Sequence, residues 1–229
     1  MKRIVACGVL LFGLAPMLPA EDKAETIKLF NGKDLEGWEG HPNLWSVQDG
    51  VIVGKNTEPV KVSTYLVTKR HFRDFLLKAR VKLVNGGTNK DGTPMEMHSG
   101  IAVWGRVAPE KGDKYTYQGH LVMFPTNWGM YDLHRRNGLS VDNKPAIKAG
   151  KQKDWNDLEI LCQGDRLRVL VNDTLVVDYK EPKPELIMDA PIGLQLHSNN
   201  TPQEIHFKDL VLTSPPSDKG WPTKIGEKR

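Results

Sequence analysis

The clearest pattern in the chain is the alternation over residues 74–84, where Phe75, Leu77, Ala79, Val81 and Leu83 interleave with Asp74, Lys78, Arg80 and Lys82. A period of two marks a β-strand with one face in a core and the other in water. Only Leu76 and Val84 interrupt the polar face. Shorter runs of the same kind predict strands at 100–104, 118–124, 157–163, 166–171, 175–179, 192–197 and 204–213. Asp49-Gly50, set between 45–48 and 51–53, predicts a tight hairpin, because both residues tolerate the positive φ of a primed turn. Gly164-Asp165 and Asn172-Asp173 punctuate the later strands at the spacing of an all-β sandwich. Residues 85–94, with Gly86, Gly87, Asp91 and Gly92, are a loop by composition. No amphipathic helix of three turns, repeat or low-complexity tract is present.

The first 20 residues depart from this pattern. Lys2 and Arg3 precede an apolar run over 4–14, and Pro19-Ala20 precede the first acid, Glu21, as in a secretory signal. The run is shorter than the roughly 20 residues that span a bilayer. The expected organisation is therefore a signal peptide at 1–20, one domain at 21–213 and an extended or weakly ordered tail at 214–229. The protein is expected to be exported, to the periplasm or beyond the cell, with no membrane span. Cys7 leaves with the signal, and Cys162 alone makes no internal disulfide, so the core must hold the domain. Without Lys2 and Arg3 the 32 basic residues fall to 30 against 28 acidic, and the formal charge drops from +4 to +2. Such a balance provides no field for nucleic acid or an acidic membrane, which points to a neutral partner.

Five stretches occur in a recognisable order: Leu29-Phe30-Asn31-Gly32-Lys33-Asp34-Leu35-Glu36-Gly37-Trp38, then Ser99-Gly100-Ile101, Trp155-Asn156, Gly193-Leu194-Gln195-Leu196-His197 and Ile205-His206-Phe207-Lys208-Asp209-Leu210. In these the chain resembles the 3-keto-disaccharide hydrolase domain family from about residue 26 to 213. The resemblance implies a two-sheet antiparallel jelly-roll sandwich of the concanavalin-like type, with carbohydrate held on the outer concave face of one sheet. It also implies cleavage of glycosides already oxidised to a ketone at C3, by elimination or net hydrolysis. Many members carry Tyr-Glu-x-Gln where this chain has Tyr117-Gln118-Gly119-His120, and an arginine where it has Trp104.

Alternation nominates the candidate site. Gln118 and His120 stand at i and i+2 and so share a strand face. With Ile101 and Val103 in the core, Trp104 points the other way, with Arg106 beyond it. With Leu194 and Leu196 in the core, Gln195 and His197 point out, and Asn199 joins them as a sugar-binding candidate. Trp128, Tyr131, His134, Arg135 and Arg136 follow the 118–124 strand, and residues of these types stack on and hydrogen-bond to sugars. Glu159 lies opposite the apolar set Leu158, Ile160 and Cys162. The expectation is that Gln118, His120, Gln195, His197 and Trp104 converge on one concave face. Trp38, Trp45 and Trp155 are expected in the core, and His41, His71 and His206 are expected to be structural or exposed.

A C3 ketone acidifies the C2 proton, so a base forms an enolate that expels the anomeric oxygen. His120 or His197 is the expected base. Arg106, Arg136, or a divalent metal held by the two histidines with Glu159 or Gln118, is the expected enolate stabiliser. The alternative is a non-catalytic carbohydrate-binding module that stacks sugar on Trp104, Trp128 and Tyr131. A phosphate loop, paired-cysteine zinc spacing, a nucleophile elbow and a helix-loop-helix calcium site are all missing from the sequence. Asp91-Gly92 remains a weak calcium signal.

Overall fold

The computed structural model describes residues 23–85, 99–124, 129–134, 137–139 and 142–229. The strands, in chain order, are β1 (Glu25–Lys28), β2 (Trp38–Glu39), β3 (Trp45–Gln48), β4 (Val51–Asn56), β5 (Thr64–Phe72), β6 (Phe75–Asn85), β7 (Ser99–Val107), β8 (Tyr117–Phe124), β9 (Met130–Asp132), β10 (Asn137–Gly138), β11 (Asn156–Gln163), β12 (Arg166–Val171), β13 (Thr174–Lys180), β14 (Ala190–Leu196) and β15 (Gln203–Ser214). A six-residue helix, α1 (Lys144–Ala149), precedes β11. The first sheet runs β13-β12-β11-β6-β15-β4-β3, with β1 also on β15, and the second runs β10-β9-β8-β7-β14-β5-β2. The protein is an antiparallel two-sheet jelly-roll sandwich, as the alternation and the family resemblance anticipate.

The sandwich interior is what the alternation selects. Phe75, Leu77, Ala79 and Val81 of β6 and Phe207 and Leu212 of β15 meet Ile192, Leu194 and Leu196 of β14 and Val122 and Phe124 of β8. The 45–48 and 51–53 runs form the β3–β4 hairpin, with Asp49 and Gly50 both at positive φ. The pattern does not reveal β5, because Tyr65, Leu66 and Val67 are all buried and a strand covered on both faces shows no alternation. Trp38 and Trp45 are buried as expected. Trp155 is only half-buried, and the Lys208 ammonium lies 4.3 Å from its ring centroid.

The outer faces differ. On the first sheet Trp221 packs with Leu161, Leu170 and Leu175 against Leu76, which explains the apolar interruption in β6. Backbone bonds from Leu175 N to Glu227 O and from Arg229 N to Asp173 O, both 2.9 Å, hold the tail there. The tail is thus fastened to the sheet rather than loose. The second sheet carries its own outer apolar cluster of Tyr65, Val67, Ala102, Tyr117, Leu121 and Met123, with Tyr131 and Leu133 against it.

A bulge shapes that second sheet. Val103 pairs with His120 but Arg106 pairs with Gln118, so β7 carries one extra residue. Trp104 takes it up at φ 55, and Gly105 must be glycine, since a Cβ there would stand 1.9 Å from the Gln118 carbonyl oxygen.

Candidate functional site

The outer face of the second sheet holds a cavity of about 350 Å³. Tyr65 of β5, Tyr117, Leu121 and Met123 of β8, Tyr131 of β9 and Gln195 of β14 line it, and His197, Thr116, Lys61 and Lys111 come from adjoining segments. Tyrosines beside aliphatic side chains, with a few polar atoms among them, suit the apolar faces and polar edges of a sugar.

The polar atoms are fixed from behind. Gln195 Nε2 donates to the Tyr65 hydroxyl at 2.9 Å, and the Tyr117 hydroxyl donates to Pro191 O at 2.6 Å. Gln195 Oε1 and Thr116 Oγ1 are buried with no hydrogen-bond partner among the described residues. Buried polar atoms in native structures are almost always hydrogen-bonded, so these two are natural partners for groups entering the cavity. Burial pushes the His197 imidazole below the usual histidine range, against a raising contribution from the Ser198 backbone. It is therefore neutral at physiological pH and able to accept a proton. No carboxylate is among the described residues of the wall, whereas Lys61 and Lys111 are.

A second cavity of about 340 Å³ adjoins the first and shares Lys61 and Val62 with it. The dividing segment is pinned to the end of β14. Val60 and Asn199 exchange backbone hydrogen bonds of 2.8 Å, and Ser198 N donates to Ser63 Oγ at 3.0 Å. His41 and Asp113 face each other in the second cavity, with Nε2 and Oδ2 2.7 Å apart.

Of the residues nominated by alternation, Gln195, His197 and Tyr131 meet at the first cavity. Asn199 contributes through its backbone, while its side-chain oxygen accepts from Thr201 N at 3.3 Å. The others are corrections. His120 points into the sandwich, inaccessible, with Nε2 2.5 Å from Glu181 Oε2. The parity of β8 is the reason: Leu121 and Met123 face the cavity while Val122 and Phe124 face the core, so His120 follows the core set. Gln118 shares that phase and accepts from Arg106 Nη2 at 3.0 Å. Arg106 is exposed, also engages Glu110, and is not part of either cavity wall. Trp104 is fully buried because the bulge turns it inward, where Nε1 donates to Arg73 O at 2.8 Å.

Glu159 lies on the outer face of the other sheet, where Arg229 Nη1 donates to it at 3.0 Å and Lys78 is 3.7 Å away. His120 and His197 stand on opposite faces of their sheet and Glu159 is remote from both, so these residues do not fit a shared divalent metal. Among the described residues no three metal-ligating side chains are grouped to hold an ion. Trp128, Arg135, Arg136 and Asp91 lie outside the described residues.

Alternation missed Tyr65, Tyr117, Thr116, Lys61 and Lys111. The run Thr64-Tyr65-Leu66-Val67-Thr68, rich in β-branched and aromatic residues, is the signal that would have found β5 and its tyrosine.

The 3-keto-alpha-glucoside-1,2-lyase-like domain matches this chain over residues 25–213. Among solved structures, a protein of Parabacteroides distasonis ATCC 8503 inferred to be a glycosyl hydrolase is 20% identical, with a TM-score of 0.56 over 82% of this chain and 92% of that one. A second structure from the same organism, given the same description, is 21% identical, with a TM-score of 0.56 over 82% and 98%. A protein described as a glycosidic hydrolase is 12% identical, with a TM-score of 0.53 over 87% and 99%. At these identities the likeness is one of fold. Among curated protein sequences none matches this chain.

Proposed function

This chain belongs to the 3-keto-alpha-glucoside-1,2-lyase-like domain family, and from that membership and the chemistry of its first cavity we propose that it cleaves glycosides oxidised to a ketone at C3. The observation that carries the proposal is the make-up of the wall: a neutral imidazole, two lysines and no carboxylate among the described residues. Ordinary glycoside hydrolysis uses two carboxyl groups flanking the bond. An elimination does not need them. The C3 ketone makes the C2 proton removable by a base as mild as imidazole.

In this route His197 takes the C2 proton, and the C–H electron pair moves toward the ketone to give an enolate. Lys61 and Lys111 supply positive charge that balances the developing oxyanion. The pair then returns to form the C1–C2 double bond as the C1–O bond breaks, and the leaving oxygen takes up a proton. Addition of water across the new double bond would give net hydrolysis. Gln195 and Thr116 hold sugar hydroxyls, and Tyr131 covers a ring face. Residues 1–20 direct export in this reading. None of the helices among the described residues is long and apolar enough to cross a membrane.

The test is to incubate the purified protein with a 3-keto-glucoside and with its unoxidised parent, and to follow release of the leaving group. Release from the keto sugar alone is expected. Tight binding of the plain sugar without release would overturn the proposal in favour of a carbohydrate-binding module.

A further inference from the structure

We propose that the second cavity binds the leaving group of the substrate, and that His41, oriented by Asp113, is the residue that selects a polyhydroxylated ring there. The inference rests on the cleavage reading for its kinetic form, but not for its binding form.

The two cavities share the Lys61–Val62 boundary, and successive residues of one turn divide between them: Lys111 lines the first, Gly112 and Asp113 the second. A ligand whose reacting ring fills the first cavity, with its anomeric carbon toward that boundary, extends into the second through its leaving group. The boundary is held by the Val60–Asn199 backbone pair, so the two lobes keep their relation without a ligand.

The imidazole in this second lobe is held as a functional one is held. Asp113 Oδ1 accepts from the Thr64 hydroxyl at 2.6 Å and from Tyr115 N at 2.9 Å, which leaves Oδ2 for His41 Nε2 at 2.7 Å. Burial raises the Asp113 carboxyl, but the bonds from Thr64, Tyr115 and His41 together outweigh it and keep the group ionised. The carboxylate fixes Nε2 as the protonated nitrogen, so Nδ1 is left to meet a ligand hydroxyl. The Tyr115 ring, edge-on with its centroid 5.0 Å from that of His41, fixes the ring plane. The rest of the wall mixes Asn43 and Glu58 with Leu44 and Val60, an amphipathic lining that suits a hydroxylated ring. A flat apolar leaving group would bury the same polar atoms unpaired.

The experiment compares two 3-keto-glucosides, one with a sugar and one with a methyl leaving group, in wild type, His41→Ala and Asp113→Asn. For the sugar-bearing substrate KM should rise about tenfold in His41→Ala, the size of one lost hydrogen bond, with kcat nearly unchanged. Asp113→Asn should shift KM the same way by less, and the methyl substrate should be indifferent to both. Equal losses on both substrates, or no loss on either, overturn the inference. Should His41→Ala not fold, His41→Gln takes its place. Should wild type cleave neither substrate, the cleavage reading fails, and calorimetry with the unoxidised disaccharide and its methyl monosaccharide decides this one. Weaker binding of the disaccharide alone in the variant sustains it, and unchanged binding of both overturns it.

Discussion

His120 and Glu181 form a hydrogen-bonded pair sealed between the two sheets, with Nε2 2.5 Å from Oε2 and neither side chain reaching solvent. The Tyr179 hydroxyl donates to the same carboxylate oxygen at 2.9 Å, and the Lys183 amide donates to the other at 2.9 Å. The pair ties β8 of the second sheet to the segment that follows β13 of the first. An imidazole so enclosed links the two sheets from within the sandwich.

Removing one member of this pair should therefore cost stability. Glu181→Gln and His120→Ala are each expected to lower the unfolding free energy by about 3 kcal/mol, as when one partner of a buried ionisable pair is removed. Urea denaturation measures this, and a change below about 0.5 kcal/mol, typical of surface positions, would refute the assignment.

The same pair gives a pH dependence with a definite sign. Burial raises the Glu181 carboxyl, but the hydrogen bonds from His120, the Lys183 amide and Tyr179 outweigh it, so its folded pKa lies below the usual 4.5. A depressed carboxyl contributes stability that is present above 4.5 and lost as pH falls through the folded value. Wild type should lose stability below about pH 4.5 more steeply than Glu181→Gln. Parallel pH curves for the two proteins would count against this.

His197 carries the opposite expectation from His120. His197→Ala should reduce turnover on a 3-keto-glucoside at least about 100-fold, the lower end of what a positioned base contributes. Its lowered pKa keeps it neutral further into acid, so the acidic limb of the kcat/KM profile should lie below the usual histidine value of 6.5. A limb at or above that value would exclude His197 as the base.

Gln195→Leu should raise KM about tenfold, since it removes the Oε1 acceptor and the 2.9 Å bond to Tyr65 that aims it. Its inner neighbours Leu194 and Leu196 are untouched, so thermal stability should change little. An unaltered KM would remove Gln195 from the sugar-binding set.

Trp221→Ala should destabilise the protein by about 3 kcal/mol, as for a large buried aromatic, by uncovering Leu161, Leu170 and Leu175. The first cavity lies on the other sheet, and Trp221 is not in the wall of either cavity, so turnover per folded molecule should hold. A loss of turnover with stability intact would contradict the assignment of the tail to the scaffold.

The fold was most legible where a strand buries one face and leaves the other toward water, as β6 and β15 do. The Asp49-Gly50 turn follows from the tolerance of both residues for positive φ, and the β6 pattern and the Leu194-Gln195-Leu196-His197 parity follow from local alternation. That parity places Gln195 and His197 on the outer face with no knowledge of their neighbours. The reading failed where both faces of a strand are apolar. On β8, Leu121 and Met123 line the cavity and Val122 and Phe124 the core, so the pattern carries no sign of which face is which.

What the sequence determined by itself is the all-β sandwich, the position of the strands that alternate or end on clear turns, and the family to which it belongs, because periodicity, turn chemistry and motif order are local properties. Only the tertiary structure decided the site. The direction of Trp104 depends on an extra residue in β7 that exists only relative to β8, and the remoteness of Glu159 depends on which sheet β11 joins. The meeting of Tyr65, Thr116, Lys61 and His197 around one cavity depends on strands and loops far apart in the chain. Each is a relation between segments set by backbone pairing and close packing, and no single segment contains it.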